Sequence, residues 1–292
     1  YLTDAITDYS VQYIQDFEKS DRNPFFLYVA YTAPHWPLHA KPDVIEKYEG
    51  KYDAGWDQLK KDRFERQRKL KLFPGHIPVA PVQDRGTSWK SLSDSERQYQ
   101  ADKFEVHAAM VDSVDQGIGR ILSALKETGE YENTVVFFLS DNGASPEIPG
   151  YAGYDRNGET RDGRIAHREK ELKLPENRHK LGSDESYTGL GPAWANAANS
   201  PLKYWKKESY EGGCRTPFIV HWPAGITARA GSIVKDLGHV MDIAPTCLEL
   251  AGAQADADFT MDGESLVQAL AGESLNNDRL LFFEHNGGRA AR

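Results

Sequence analysis

Five apolar residues, Val135-Val136-Phe137-Phe138-Leu139, run directly into Ser140-Asp141-Asn142-Gly143. The run is too short for a typical helix and rich in β-formers, so it predicts a strand buried on both faces. Such strands belong to sheets covered by helices, which points to an α/β fold. Asp141 and Asn142 then fall at the carboxyl end of the strand, where open α/β sheets hold their ligands. A carboxylate beside a carboxamide offers hard oxygen donors of the kind Ca²⁺ or Mg²⁺ takes. The plainer reading of Asp-Asn-Gly is a turn, since all three residues favour turns.

The 292 residues suffice for one large α/β domain or two smaller ones. A formal net charge of -9 argues against general affinity for nucleic acid or anionic membranes. It leaves room for an anionic substrate held in a local cationic pocket. No apolar stretch is long enough to span a bilayer. Cys214 and Cys247 fit no metal-ligand spacing. Both ends read as cuts through ordered structure, so the chain is expected to be part of a longer one.

Ala5, Ile6, Tyr9, Tyr13, Ile14 and Phe17 form one stripe of an opening helix. Pro24 to Tyr31 predicts a second buried strand, ending in the rigid loop Thr32-Ala33-Pro34-His35-Trp36-Pro37. Residues 43–72 read as helical and charged, and residues 73–90 as a loop. Ser93 and Glu96 form a capping-box pattern that opens a long helix through about Lys126. With the strand from Val135, this order predicts a largely parallel sheet. Residues 146–190 are polar, without a clear period, and predict a long surface excursion over the site whose charges form a solvated face. Phe218 to Pro223 predicts a further strand, and Asp242 to Ala251 a helix with Pro245 in its first turn.

Three segments carry chemistry: Pro34-His35-Trp36-Pro37, Asp141-Asn142-Gly143, and Asn199-Ser200-Pro201-Leu202-Lys203-Tyr204-Trp205-Lys206 leading to Glu211-Gly212-Gly213. If the strands are parallel neighbours, these loops gather on one sheet edge. A metal, a histidine and a lysine there suit a substrate with several negative oxygens. On these motifs, with Lys51 to Trp56, Asp112 to Arg120, Trp194 to Pro217, Val240 to Gly252 and Glu284 to Arg289, the chain resembles the formylglycine-dependent sulfatases of the alkaline phosphatase-like superfamily, in particular the bacterial arylsulfatase branch.

The resemblance implies an α/β alkaline phosphatase-like fold: a large mixed, mostly parallel sheet flanked by helices, truncated at both ends. Residues 1–279 would be the central and late part of the catalytic domain. Residues 280–292 would start a smaller C-terminal subdomain. Asp141 and Asn142 match the strand-end pair that ligates the active-site calcium. His35 matches the histidine that contacts the sulfate group and assists the leaving oxygen. Lys206, seven residues after Asn199, matches the sulfate-holding lysine, with Lys203 and Lys207 as the competing registers. His39 is a further substrate-binding candidate. His107, His221, His239, His76, His167 and His179 read as structural or solvent-facing.

The family's C/S-x-P/A-x-R motif, whose cysteine or serine becomes formylglycine, is absent from this chain. Cys214 is followed by Arg215-Thr216-Pro217, the wrong order, and Cys247 reads as a core residue. The nucleophile, an aspartate pair and a lysine-x-histidine segment are therefore expected upstream of Tyr1. Calcium is expected in preference to Mg²⁺, with a sulfated small molecule or carbohydrate as substrate and a periplasmic or secreted location. The chain alone is expected to be inactive. The alternatives are a phosphodiesterase or phosphonate monoester hydrolase of the same superfamily, or a non-catalytic sulfatase-like binding protein.

Overall fold

The computed structural model describes residues 1–19, 24–73, 87–149, 167–226, 230–254, 258, 260–275 and 278–292. In chain order the elements are α1 (Leu2–Glu18), α2 (Pro42–Glu46), α3 (Gly55–Lys69), α4 (Asp94–Glu127), β1 (Val136–Leu139), β2 (His167–Arg168), α5 (Glu169–Leu172), β3 (Ser186–Tyr187), α6 (Pro192–Asn199), α7 (Glu211–Cys214), β4 (Phe218–His221), α8 (Ile243–Leu250), α9 (Val267–Ala271), β5 (Phe282–His285) and β6 (Gly288–Ala291). They form two compact units. Tyr1–Thr128 with Asn142–Arg215 make the first, and Gly129–Asp141 with Thr216–Arg292 the second.

The first unit is built on α4. Its capping box is present as the sequence predicts: the Ser93 side chain accepts from Glu96 N, and the Glu96 carboxylate accepts from Ser93 N. Helix α1 packs on α4 through a face that keeps Ile14 of the predicted stripe but leaves out its two tyrosines. Thr3, Thr7, Ser10 and Ile14 are buried, while Tyr9 and Tyr13 are each 62% exposed. The opposing face of α4 explains the choice. A Cβ at Gly117 would lie 2.4 Å from Thr7 Oγ1 and 2.7 Å from Tyr31 Oη, so only small groups allow this close approach. Thr7 and Tyr31 hydroxyls then satisfy each other at 2.7 Å.

An aromatic core fills the space between α3, α4 and α6. Trp194 stacks on Phe104 at 4.2 Å and meets Trp56 edge-on at 5.3 Å, and its indole N–H donates to Gln100 O. Residues 24–31 alternate in burial, with Phe26 and Tyr28 exposed, yet they pair with no strand among the described residues. The predicted strand therefore forms no ladder among the described residues.

The excursion at 146–190 also departs from expectation. Residues 150–166 lie outside the described residues, but residues 167–190 are packed. β2 and β3 pair in parallel, Leu172, Thr188 and Leu190 are buried, and Glu169 enters the interior to meet Lys103 of α4. A charge run that read as a solvated face thus contains a buried ion pair.

In the second unit β1 pairs antiparallel with β4, from Val136↔His221 to Leu139↔Phe218. This pair runs against the largely parallel sheet the sequence predicts; no single crossover helix joins these strands in sequence, so the crossover rule does not bind them. Among the described residues every sheet is two-stranded. The large, mostly parallel sheet is not assembled within them. Helix α8 begins near its Pro245 as predicted, and Asp242 at its N-terminal end accepts both guanidinium nitrogens of Arg279 at 2.7 Å. β5 and β6 form a hairpin turned by Asn286-Gly287, both at positive φ, the geometry of a type I′ turn.

Candidate active site

The loop after β1 is tied to the loop between α6 and α7 by backbone contacts within the first unit. Gly143 N donates to Gly213 O at 3.0 Å, Ala144 N to Asn199 Oδ1 at 3.0 Å, and Lys206 N to Ala144 O at 3.0 Å. Asn199 Nδ2 donates to Tyr204 O at 3.0 Å, closing the lysine-bearing loop on itself. A Cβ at Gly143 would lie 1.8 Å from Gly212 O. The glycine of Asp-Asn-Gly is therefore required for close backbone approach to Glu211-Gly212-Gly213.

This weave fixes Lys206. Its Nζ lies 3.3 Å from His35 Nε2, joining two loops 171 residues apart in sequence. His35 Nδ1 lies 2.7 Å from Trp36 O. A carbonyl only accepts, so Nδ1 carries the proton and Nε2 presents its lone pair to the Lys206 ammonium. The competing lysines do other things. Lys203 Nζ lies over the Tyr204 and Tyr210 rings, at 4.7 and 5.1 Å. Lys207 pairs with Glu147. The register that selects Lys206 is thus the one that meets His35.

The other predicted residues are placed differently. His39 is part-buried, and its Nε2 lies 2.7 Å from Ser186 O, so that nitrogen anchors the loop to β3. Asp141 is exposed and closes the second unit's segment, while Asn142 is part-buried and opens the first unit's. Their chemistry fits a hard cation, but Ca²⁺ takes six to eight oxygens. Among the described residues no group of three or more His, Cys, Asp or Glu is placed to hold a metal. The pair can supply part of a site.

Sequence reasoning missed Glu147. Its carboxylate accepts from Trp36 Nε1 and Ser145 Oγ, each at 2.8 Å, besides pairing with Lys207. No local pattern marks it, because its partners come from three segments. It also missed the buried charges on α3 and α4. Lys60 donates to Asn196 Oδ1 at 2.8 Å, and burial lowers its amine to about 8 against the pull of Asp57. Burial raises the Glu105 carboxyl to about 7. His107, read from the sequence as structural or solvent-facing, is buried there, and burial, with Arg63 nearby, lowers it to about 4. These groups sit in the core of the first unit.

The sulfatase family model matches residues 1–253. The chain is 37% identical over 253 residues to an uncharacterized sulfatase of Schizosaccharomyces pombe, covering 86% of this chain and 43% of that protein. The chain belongs to the sulfatase family. It is also 34% identical over 231 residues to an arylsulfatase of Klebsiella aerogenes, covering 78% of this chain and 46% of the relative. This sulfatase chain therefore spans less than half the length of these relatives. The solved structure of Ps i-CgsB in complex with k-i-k-neocarrahexaose aligns over 100% of the chain and 44% of its own, with a TM-score of 0.56 at 24% identity. That likeness shows the alkaline phosphatase-like fold. Sulfatases generally use formylglycine and a divalent metal. No helix among the described residues is long and apolar enough to cross a membrane.

Proposed function

We propose that the protein carrying this chain hydrolyses sulfate esters, aryl sulfates or sulfated carbohydrates, with a formylglycine nucleophile and calcium. The observation that carries this reading is the 3.3 Å contact between Lys206 and His35 in a chain of this family. A sulfuryl oxygen entering there replaces one nitrogen as partner of the other. Lys206 offers it a compact positive charge. His35, with Nδ1 held by Trp36 O, aims Nε2 outward, where a proton gained there passes to the leaving oxygen. Formylglycine supplies the nucleophile in this family, and a divalent metal, for which Asp141 and Asn142 would offer oxygen donors, would neutralise negative charge on the substrate.

Two relatives favour these substrate classes: the Klebsiella aerogenes arylsulfatase and the N-acetylgalactosamine-6-sulfatase of Mus musculus, 30% identical over 284 residues. We place His39 at the edge of the substrate site, with Nδ1 as its remaining nitrogen. We read the hairpin from Leu280 as the start of the C-terminal subdomain, and the location as periplasmic or secreted.

The test is turnover by the full-length protein of an aryl sulfate against the matching aryl phosphate, before and after chelation. Preference for the sulfate, loss on chelation and recovery with Ca²⁺ are expected. Preference for the phosphate ester would withdraw the assignment in favour of a phosphate-processing member. No turnover of either would favour a binding protein.

A further inference from the structure

We propose that Glu147 is a positioning residue that holds His35 and Lys206 in one geometry, through the residue that follows each of them. This inference rests on the sulfatase reading above. Trp36 follows His35, and its Nε1 donates to Glu147 Oε2 at 2.8 Å. Lys207 follows Lys206, and its Nζ pairs with Glu147 Oε1. One carboxylate therefore grips both loops one residue away from the groups that face the substrate.

The surroundings favour a fixed carboxylate. Its side chain is only 11% exposed. Ser145 Oγ donates to it at 2.8 Å and accepts from Glu147 N at 3.3 Å, which sets its rotamer. The Trp36 ring lies 4.9 Å from the His35 ring and 6.0 Å edge-on from Tyr187, so rotating Trp36 disturbs the imidazole. Lys207 has a left-handed backbone at φ 77, as does Tyr204 at φ 64. Strained backbone of this kind persists only where its surroundings hold it, and it clusters at functional sites. The Glu147 pair is such a hold, and it brackets Lys206 from the C-terminal side.

The chemistry requires that hold. His35 and Lys206 sit on loops that are distant in sequence, and their shared charge favours separation once His35 is protonated. A misplacement of about 1 Å can cost about a hundredfold in rate. The Glu147 carboxylate meets the Trp36 and Lys207 side chains, so it acts through them.

The experiment uses the full-length protein and its Glu147→Gln, Glu147→Asp and Glu147→Ala variants, with an aryl sulfate as substrate and inorganic sulfate as inhibitor. We expect Glu147→Gln to lower kcat/KM by about 10- to 100-fold and to weaken sulfate inhibition by about the same factor. Glu147→Ala should lose more, and Glu147→Asp should recover at least part. The loss should persist at a temperature well below every variant's Tm. Variants within about twofold of wild type in both readouts would overturn the proposal, as would a loss that vanishes on cooling. A wild type that binds sulfate without hydrolysing an ester refutes the function, and the variants' sulfate affinities then decide the positioning role. A wild type that binds no sulfate overturns both.

Discussion

Glu169→Ala should be among the most damaging single changes to the fold. The Glu169 carboxylate accepts from Lys103 Nζ at 3.2 Å and Thr188 Oγ1 at 3.2 Å, and Lys173 Nζ lies 3.4 Å from its second oxygen. The Lys103 and Glu169 side chains are 1% and 9% exposed. At that separation, an effective dielectric of about 20 gives an attraction of about 5 kcal/mol. Desolvation costs several kcal/mol per ion, so the intact pair contributes little net stability. Removing one partner is different, because the other charge stays buried and uncompensated, at a cost of about 3–5 kcal/mol.

Burial alone would raise the Glu169 carboxyl. The charges of Lys103 and Lys173 and the hydrogen bonds from Lys103 and Thr188 outweigh burial and hold it below its ordinary value. Burial lowers Lys103, and Glu169 opposes that shift. We therefore expect Glu169→Ala to lose about 3–5 kcal/mol, and Lys103→Met with Glu169→Leu to return to within about 2 kcal/mol of wild type. Urea unfolding followed by tryptophan fluorescence is the assay, since Trp56, Trp89 and Trp194 are buried in the same unit. A carboxyl lowered in the fold stabilises above its ordinary value of 4.5 and loses that contribution as pH falls through the folded value. The gap between wild type and Glu169→Ala should close in that acid range. A single-variant loss below about 1 kcal/mol at neutral pH would refute the reasoning. So would a double variant no better than the single one.

Three further outcomes are expected. Lys206→Ala should lower kcat/KM on an aryl sulfate by about 10²–10³, while Lys203→Ala stays within about threefold, which checks the register by steady-state kinetics. Gly143→Ala should cost about 2–3 kcal/mol in urea unfolding, because its Cβ collides with backbone at Gly212. His107 is buried, its Nδ1 has no hydrogen-bond partner among the described residues, and its value falls from 6.5 to about 4 in the fold. The unfolded chain therefore binds a proton that the fold refuses. Stability should drop by about 3 kcal/mol as pH falls from 6.5 to 4, and His107→Leu should flatten that slope.

Features that depend on near neighbours along the chain were legible from the residues alone. The Ser93–Glu96 capping box and the long apolar period specified α4, and five β-formers before Ser-Asp-Asn-Gly specified β1 and the loop that follows. Asn199 and Lys206 carried enough local pattern to single out the lysine that lies beside His35 in the fold. These signals are local because capping and periodicity act within one or two helical turns.

Other features arose from contacts between distant segments. The buried face of α1 was set by the bare Gly117 surface of α4, which selected threonine and serine over the tyrosine stripe. The antiparallel pairing of β1 with β4 depends on a partner some eighty positions away, which no strand propensity encodes. Trp36 finds Glu147 across 111 residues, and Lys103 finds Glu169 across 66. A charge becomes a buried partner or a solvated surface according to what packs over it. That information arises when distant segments meet, so it is absent from any window of the chain.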